Sequence, residues 1–217
     1  FLLVLNSYMK QFKHLLFLSI LCSLVLFTNC EKDSDEPVPN DPAADVAIGD
    51  TYQGGIIFYI LKDNDNGYVA GEVHGLIAAP EDQTTNAEAE WGIAGMAEWG
   101  CYETKVSGAD GTAIGTGAQN TLDILTGCSE DIIAAKLCAD YEITIDGITY
   151  DDWFLPSKME LNLLYIKKET VGGFAESWYY SSTQDNNISA WYHNFIDDIQ
   201  GKVLKNIKRS VRAIRSF

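Results

Sequence analysis

Positive charge, histidine and cysteine are all in short supply in this chain. Lys and Arg total 15 against 31 Asp and Glu, for a formal net charge of -16. So acidic a protein is a poor binder of nucleic acid or of any polyanionic surface through bulk electrostatics. Of three histidines, His14 lies in the N-terminal segment, which leaves little from which to build a zinc site. Neither His74 nor His193 has a partner motif around it, and no nucleophile stands beside a recognisable base, so an enzyme is not expected. Gly111-Thr112-Ala113-Ile114-Gly115-Thr116-Gly117 contains a G-x-G, but no strand feeds it and no P-loop lysine follows. The apolar run Leu15 to Phe27 falls short of the ~20 residues of a comfortable membrane span. What remains, 47% hydrophobic and 12% aromatic residues in a chain of 217, suits one folded domain with appendages.

Residues 1–30 read as an upstream stretch plus an export signal. Met9 is the expected start, Lys10 and Lys13 the basic region, and Leu15 to Phe27 the apolar region. The run ends in Phe27-Thr28-Asn29-Cys30, which resembles a relaxed bacterial lipobox and makes Cys30 the candidate lipidated residue. Residues 31–47 are rich in acid and proline and read as a disordered tether. Acidic residues directly after such a cysteine, Glu31 to Glu36 here, resemble the signal that sends lipoproteins to the outer face of the outer membrane. The expected location is therefore the outer membrane, lipid-anchored and facing the exterior.

The folded domain is expected over 48–217. Gly54-Gly55 precede Ile56 to Leu61, a strand-length apolar run, and Leu76 to Ala79 is a second strand. Asp63-Asn64-Asp65-Asn66-Gly67 fails as a calcium loop because its glycine comes one position early, and Asn66-Gly67 reads as a hairpin turn. Residues 81–117 read as long loops pinned by Trp91 and Trp99 as core plugs. Ala118 to Leu125 and Ile132 to Tyr141 read as short helices, and Ile143 to Ile148 as a hairpin turning at Asp146-Gly147. Trp153-Phe154-Leu155-Pro156 is a short buried extended stretch. Ser157 and Glu160 then form an S-x-x-E capping box for a helix whose apolar face is Leu161, Leu164 and Tyr165, ending at Gly172-Gly173. Trp178 to Thr183, Ala190 to Ile196, Lys202 to Ile207 and Ser210 to Phe217 read as an antiparallel meander. Its basic residues Lys202, Lys205, Lys208, Arg209, Arg212 and Arg215 are expected to pair with acids of the same chain, ahead of the alternative of binding an external anion.

Within the meander, Trp178, Tyr180, Trp191, Tyr192 and Asn194 are the candidate ligand-binding residues, by stacking and hydrogen bonding; core roles for Trp178 and Trp191 stay open. Asp185, Asn187, Asp197 and Asp198 offer the hard oxygens that calcium uses, although turn chemistry explains them equally well. His193 reads as a satisfied structural histidine. Past Cys30 come Cys101, Cys128 and Cys138, for which one disulfide is expected in an exported protein; all three pairings are open, with Cys128–Cys138 favoured for its short loop.

Trp153-Phe154-Leu155-Pro156-Ser157-Lys158-x-Glu160-Leu161, Tyr180-Ser181-Ser182-Thr183, Ala190-Trp191 and Val211-Arg212-Ala213-Ile214-Arg215 follow one another as in the Lcl C-terminal domain family of collagen-like adhesins. Gly54 to Tyr59 and Gly75 to Asp82 look like the matching start in lipoproteins of gut-type bacteria. The resemblance implies an α+β, C-type-lectin-like domain with paired terminal strands, two or three helices and a small meander with long loops. It further implies a binding module for a glycan, peptide or protein partner, an adhesin among the options, against the alternative of an envelope scaffold with no small ligand. The Leu155-Pro156-Ser157-x-x-Glu160 segment also looks like one in sulfatase-modifying domains, but those carry late catalytic cysteines and no cysteine follows Cys138 here.

Overall fold

In a computed structural model, residues 45–83 and 96–217 are described. Cys30, nearly all of the tether and Trp91 lie outside the described residues.

Two sheets share the work of the mixed α+β fold. The first has the order β1-β2-β3-β11, with β1 Thr51–Tyr52, β2 Gly55–Ile60, β3 Gly75–Ala78 and β11 Ile214–Ser216, all antiparallel. β2 and β3 are almost wholly buried, which is why they read as unbroken apolar runs rather than alternating ones. The terminal strands share this sheet but do not pair with each other. The tight turn at Gln53 and Gly54, both with positive φ, folds β1 onto one edge of β2. β3 holds the other edge of β2, so the open edge for β11 is that of β3.

The second sheet has the order β4-β10-β7-β8-β9, comprising β4 Met96–Ala97, β7 Trp178–Gln184, β8 Ser189–Asn194, β9 Ile199–Leu204 and β10 Arg209–Ser210. β10 runs parallel to β7. The expected closing hairpin of the meander is instead a crossover: β10 belongs to the second sheet, β11 to the first, and buried Val211, Arg212 and Ala213 connect them. β9 begins earlier than the sequence suggested, because Asp198 adopts φ 62 and its N–H closes a tight turn on Asn194 O at 3.1 Å. A separate hairpin pairs β5 Ile143–Ile145 with β6 Ile148–Tyr150 around Asp146-Gly147.

Four helices complete the described residues: α1 Gly117–Gly127, α2 Ala134–Ala139, α3 Lys158–Ile166 and α4 Lys168–Val171. The single helix expected up to Gly172 breaks at Lys167 (φ -105°, ψ 11°), which re-aims Val171 into the core beside Phe58. The capping box is present: Ser157 Oγ accepts from Glu160 N at 3.3 Å, and Glu160 Oε2 accepts from Ser157 N at 2.7 Å. Fully buried Glu160 also reaches outside its own helix to accept from Gly115 N at 2.7 Å, which ties the Gly111–Gly117 loop to the start of α3. Burial raises its pKa, and the backbone N–H donors oppose that rise.

β7 is the wall between two hydrophobic cores. Tyr180 faces the one built on Trp99, Ile124, Ile133 and Leu155, whereas Tyr179 faces the one built on Phe58, Leu161, Leu164 and Phe195. Trp99 is a core plug, fully buried with its indole N–H on Ser181 O at 3.0 Å. The disulfide joins Cys101 to Cys128, with Cα atoms 5.6 Å apart, and not Cys128 to Cys138. α2 points Cys138 into the core as a free buried thiol, while Cys128, at the C-cap of α1, faces the loop that carries Cys101. Helix orientation, which loop length does not encode, decides the pairing.

Candidate ligand-binding surface

The five expected ligand residues go to three places. Tyr180 is fully buried, and its hydroxyl donates toward Leu204 O (2.9 Å) and Ile207 O (2.6 Å), so it is a core residue closed to ligand. Asn194 is also buried; its Oδ1 accepts from Ile196 N at 3.0 Å and holds the β8–β9 turn. Both corrections have the same cause: strand alternation assigns a face, and here both faces of β7 and β8 are largely covered. Trp191 points to the α3 side, half-buried between the ammonium groups of Lys158 (3.5 Å from the ring centre) and Lys202 (4.8 Å).

Trp178 and Tyr192 come together at the open end of the sheet. Their rings stack with centroids 5.0 Å apart and planes 7° from parallel, and Trp178 is 37% exposed. Tyr192 can lie flat because its cross-strand neighbour is Gly201; a Cβ there would come within 2.6 Å of the tyrosine hydroxyl. The Arg209 guanidinium lies 4.6 Å from the Trp178 ring and 6.0 Å from that of Tyr192. These separations describe a triangle, so Arg209 and Tyr192 do not sandwich the indole between them.

Two shallow depressions adjoin the stack and share Glu176 and Ile196. One, of about 320 Å³, is lined by Met96, Glu176, Ser177, Trp178, Ile196 and Arg209. The other, of about 330 Å³, lies over Phe174 and Phe195, with Lys168, Glu169 and Glu176 at its sides. Lys168 is held by Phe195 O at 2.8 Å and by the Tyr165 ring. The surface can stack, take up apolar groups and offer two cations, Arg209 and the internally bonded Lys168, beside two acids, Glu169 and Glu176.

The calcium candidates do not converge. Asp185 and Asn187 sit in the β7–β8 turn, Asp197 and Asp198 in the β8–β9 turn, at opposite ends of six-residue β8, roughly 20 Å apart at strand rise. Asp185 is engaged by Lys202 (2.5 Å), Asn186 and Ser189, and the Lys202 contact lowers its pKa. Asn187 reaches toward Glu103 O. Asp198 accepts from His193 Nε2 at 2.9 Å, while burial holds the His193 pKa below its ordinary value. Among the described residues, the one trio of ligand-type side chains close enough to share an ion is Cys101, Cys128 and Glu130, whose sulfurs are joined in the disulfide.

Arg209, Met96, Glu176 and Ile196 were missed as site residues. Arg209 reads in sequence like every other basic residue of its segment, most of which do bind internally: Lys202 to Asp185, Arg212 to Asp82 and Arg215 to Asp152. Comparison of the chain with protein-family models and with curated proteins gives no match in either case.

Proposed function

We propose that this chain is a surface-anchored lipoprotein whose folded domain is a binding module, C-type-lectin-like and of the Lcl C-terminal kind, for a glycan, peptide or protein partner. The observation that carries it is the stack of exposed Trp178 on half-buried Tyr192, with Arg209, held on three strands beside two open depressions. Aromatic faces on a rigid scaffold, flanked by a few polar groups, are what such sites commonly use. The lectin-like reading is supported by the first and last strands sharing one sheet, by helices packed beside it, and by a second small sheet carrying the aromatic end. The anchor rests on Cys30 and its preceding signal.

Arrays of glycans and peptides test the module. The protein should bind a subset, and Trp178→Ala should abolish that binding while circular dichroism stays unchanged. Binding unaffected by the substitution would move the site elsewhere. Chelation should leave binding intact, since the two acidic turns are too far apart to share an ion; a loss on chelation would reinstate calcium. Mass spectrometry of the membrane-extracted protein tests Cys30 as its lipidated first residue. The burial of Tyr180 and Asn194 favours the second reading, an envelope scaffold without a small ligand, in which case the arrays stay blank.

A further inference from the structure

Arg209 carries the chemistry of this surface further. Resting on the binding-module reading, we infer that the occupant of the Trp178–Arg209 depression is a protein segment in which an apolar side chain stands next to a carboxylate.

The apolar half of the argument is the rim. Ile196, 58% exposed, lines the depression together with Met96, and Ile199, 53% exposed, stands on β9 at the same end of the sheet as Trp178. Trp, Tyr and Arg set among aliphatic side chains is the composition of protein–protein hot spots. A neutral sugar needs several converging donors and acceptors to fix its hydroxyls. The polar lining of this depression is Glu176, Ser177 and Arg209, and Ser177 Oγ is already bonded to Ser210 Oγ at 2.8 Å.

The charged half is Arg209 itself. Its Nη1 donates to Lys208 O at 2.9 Å, its Nε is buried with no hydrogen-bond partner, and no carboxylate of the described residues pairs with it. In a chain of net charge -16, a cation with no acid partner among the described residues is a local exception that an acidic partner complements. Guanidinium matches carboxylate geometry bidentately. Glu176 lines the same depression and repels a carboxylate from its own part of it, which favours the Arg209 end for that group. The stack is in place before the partner arrives, which lowers the ordering cost of binding.

The test uses the full chain on an array of synthetic peptides that pair Leu, Ile or Phe with Asp or Glu at varied spacing. Each peptide stands beside its Asn or Gln counterpart, with neutral and acidic glycans printed on the same surface. Acidic-apolar peptides should bind at least about tenfold more tightly than their amide versions, a difference that salt narrows. Arg209→Gln should erase that preference, and Trp178→Ala the binding itself. If Trp178→Ala fails to fold, the Arg209→Gln comparison decides alone. Equal binding of acid and amide peptides, or an Arg209→Gln protein that keeps the preference, overturns the inference. Binding to glycans alone overturns it too but leaves the module standing, whereas an empty array removes both.

Discussion

Arg209 and Arg212 are three residues apart on one basic segment and have opposite fates. Arg212 is fully buried at the crossover between the two sheets. Its Nε and Nη2 bond Asp82 at 2.9 and 2.8 Å, its Nη1 takes Ala79 O and Gly172 O, its Nη2 also takes Gly173 O, and Phe174 covers its face at 3.9 Å. Arg209 shares the taste for an aromatic face, but it is only half-buried and meets no acid among the described residues. A charge whose hydrogen bonds are complete inside the protein belongs to the fold, and one whose bonds are incomplete at a rim is available to something else.

The sharpest way to break this contrast is to remove Arg212. Arg212→Met leaves Asp82 and three backbone carbonyls facing an apolar side chain, and breaking a buried pair in this way costs about 3–5 kcal/mol. Denaturant melts should show that loss. A change below about 1 kcal/mol would mean that Arg212 is no more structural than Arg209.

The disulfide is a second internal clamp. Cys101–Cys128 spans 27 residues, and closing a loop of that length stabilises by about 3–4 kcal/mol in the chain-entropy account. A Cys101→Ala/Cys128→Ala protein should lose stability of that order, whereas Cys138→Ala should alter it through core packing alone. Thiol counting on the unreduced protein should find Cys138 as the free thiol of these three; a reactive Cys101 would overturn the pairing.

Ser157 comes next in size. Ser157→Ala removes the acceptor for Glu160 N and costs about 0.5–2 kcal/mol. That cap was legible in sequence because it lies within four consecutive residues. The second role of Glu160 was not, because Gly115 is 45 positions away and only the tertiary fold brings its N–H to the carboxylate. The first two strands of the meander, β7 and β8, were legible for a similar local reason, and so was Trp99 as a plug. The site was read only in part. Aromatic and polar character marked Trp178, Tyr180, Trp191, Tyr192 and Asn194, but it could not show that the core covers Tyr180 and Asn194 and stops short of Trp178. Nothing local separates Arg209 from Arg212, or Cys101 from Cys138 as the partner of Cys128.

Lys205, a third buried cation of the basic segment, is tested by pH. It is fully buried over Trp99, donating to Thr104 O at 2.9 Å and Gln184 Oε1 at 3.2 Å, and burial brings its pKa down to about 8. Between pH 8 and the ordinary lysine value, the unfolded chain therefore binds a proton that the folded chain does not, so stability rises with pH. Above pH 9 the buried Cys138 thiol opposes this, since its raised pKa keeps it protonated in the folded state while the unfolded thiol ionises. Tyr179 and Tyr180, raised mainly by burial, add to that opposition above pH 10. The window for Lys205 is thus pH 8 to 9, and its contribution is at most about 1.4 kcal/mol across that unit. The rise should be present in the native protein and absent from Lys205→Met. An identical pH profile for the two would place the charge of Lys205 in solvent.

The smallest stability effect falls on the other side of the comparison. Arg209→Gln gives up cation–π contacts with Trp178 and Tyr192 at a partly exposed site, which are worth about 0.5–1 kcal/mol. Among the described residues it breaks no ion pair, and the one hydrogen bond it loses, to Lys208 O, is at the surface. Because Arg209 Nε is buried without a partner, its removal also relieves an unmet polar group, which offsets part of the lost stacking. Measured beside Arg212→Met under the same denaturant, Arg209→Gln should leave the midpoint within the range of an ordinary surface substitution. Should the two arginines prove equally costly to remove, Arg209 is a second structural clamp, its stack with Trp178 and Tyr192 is part of the core boundary, and the aromatic end of the sheet is not a binding surface.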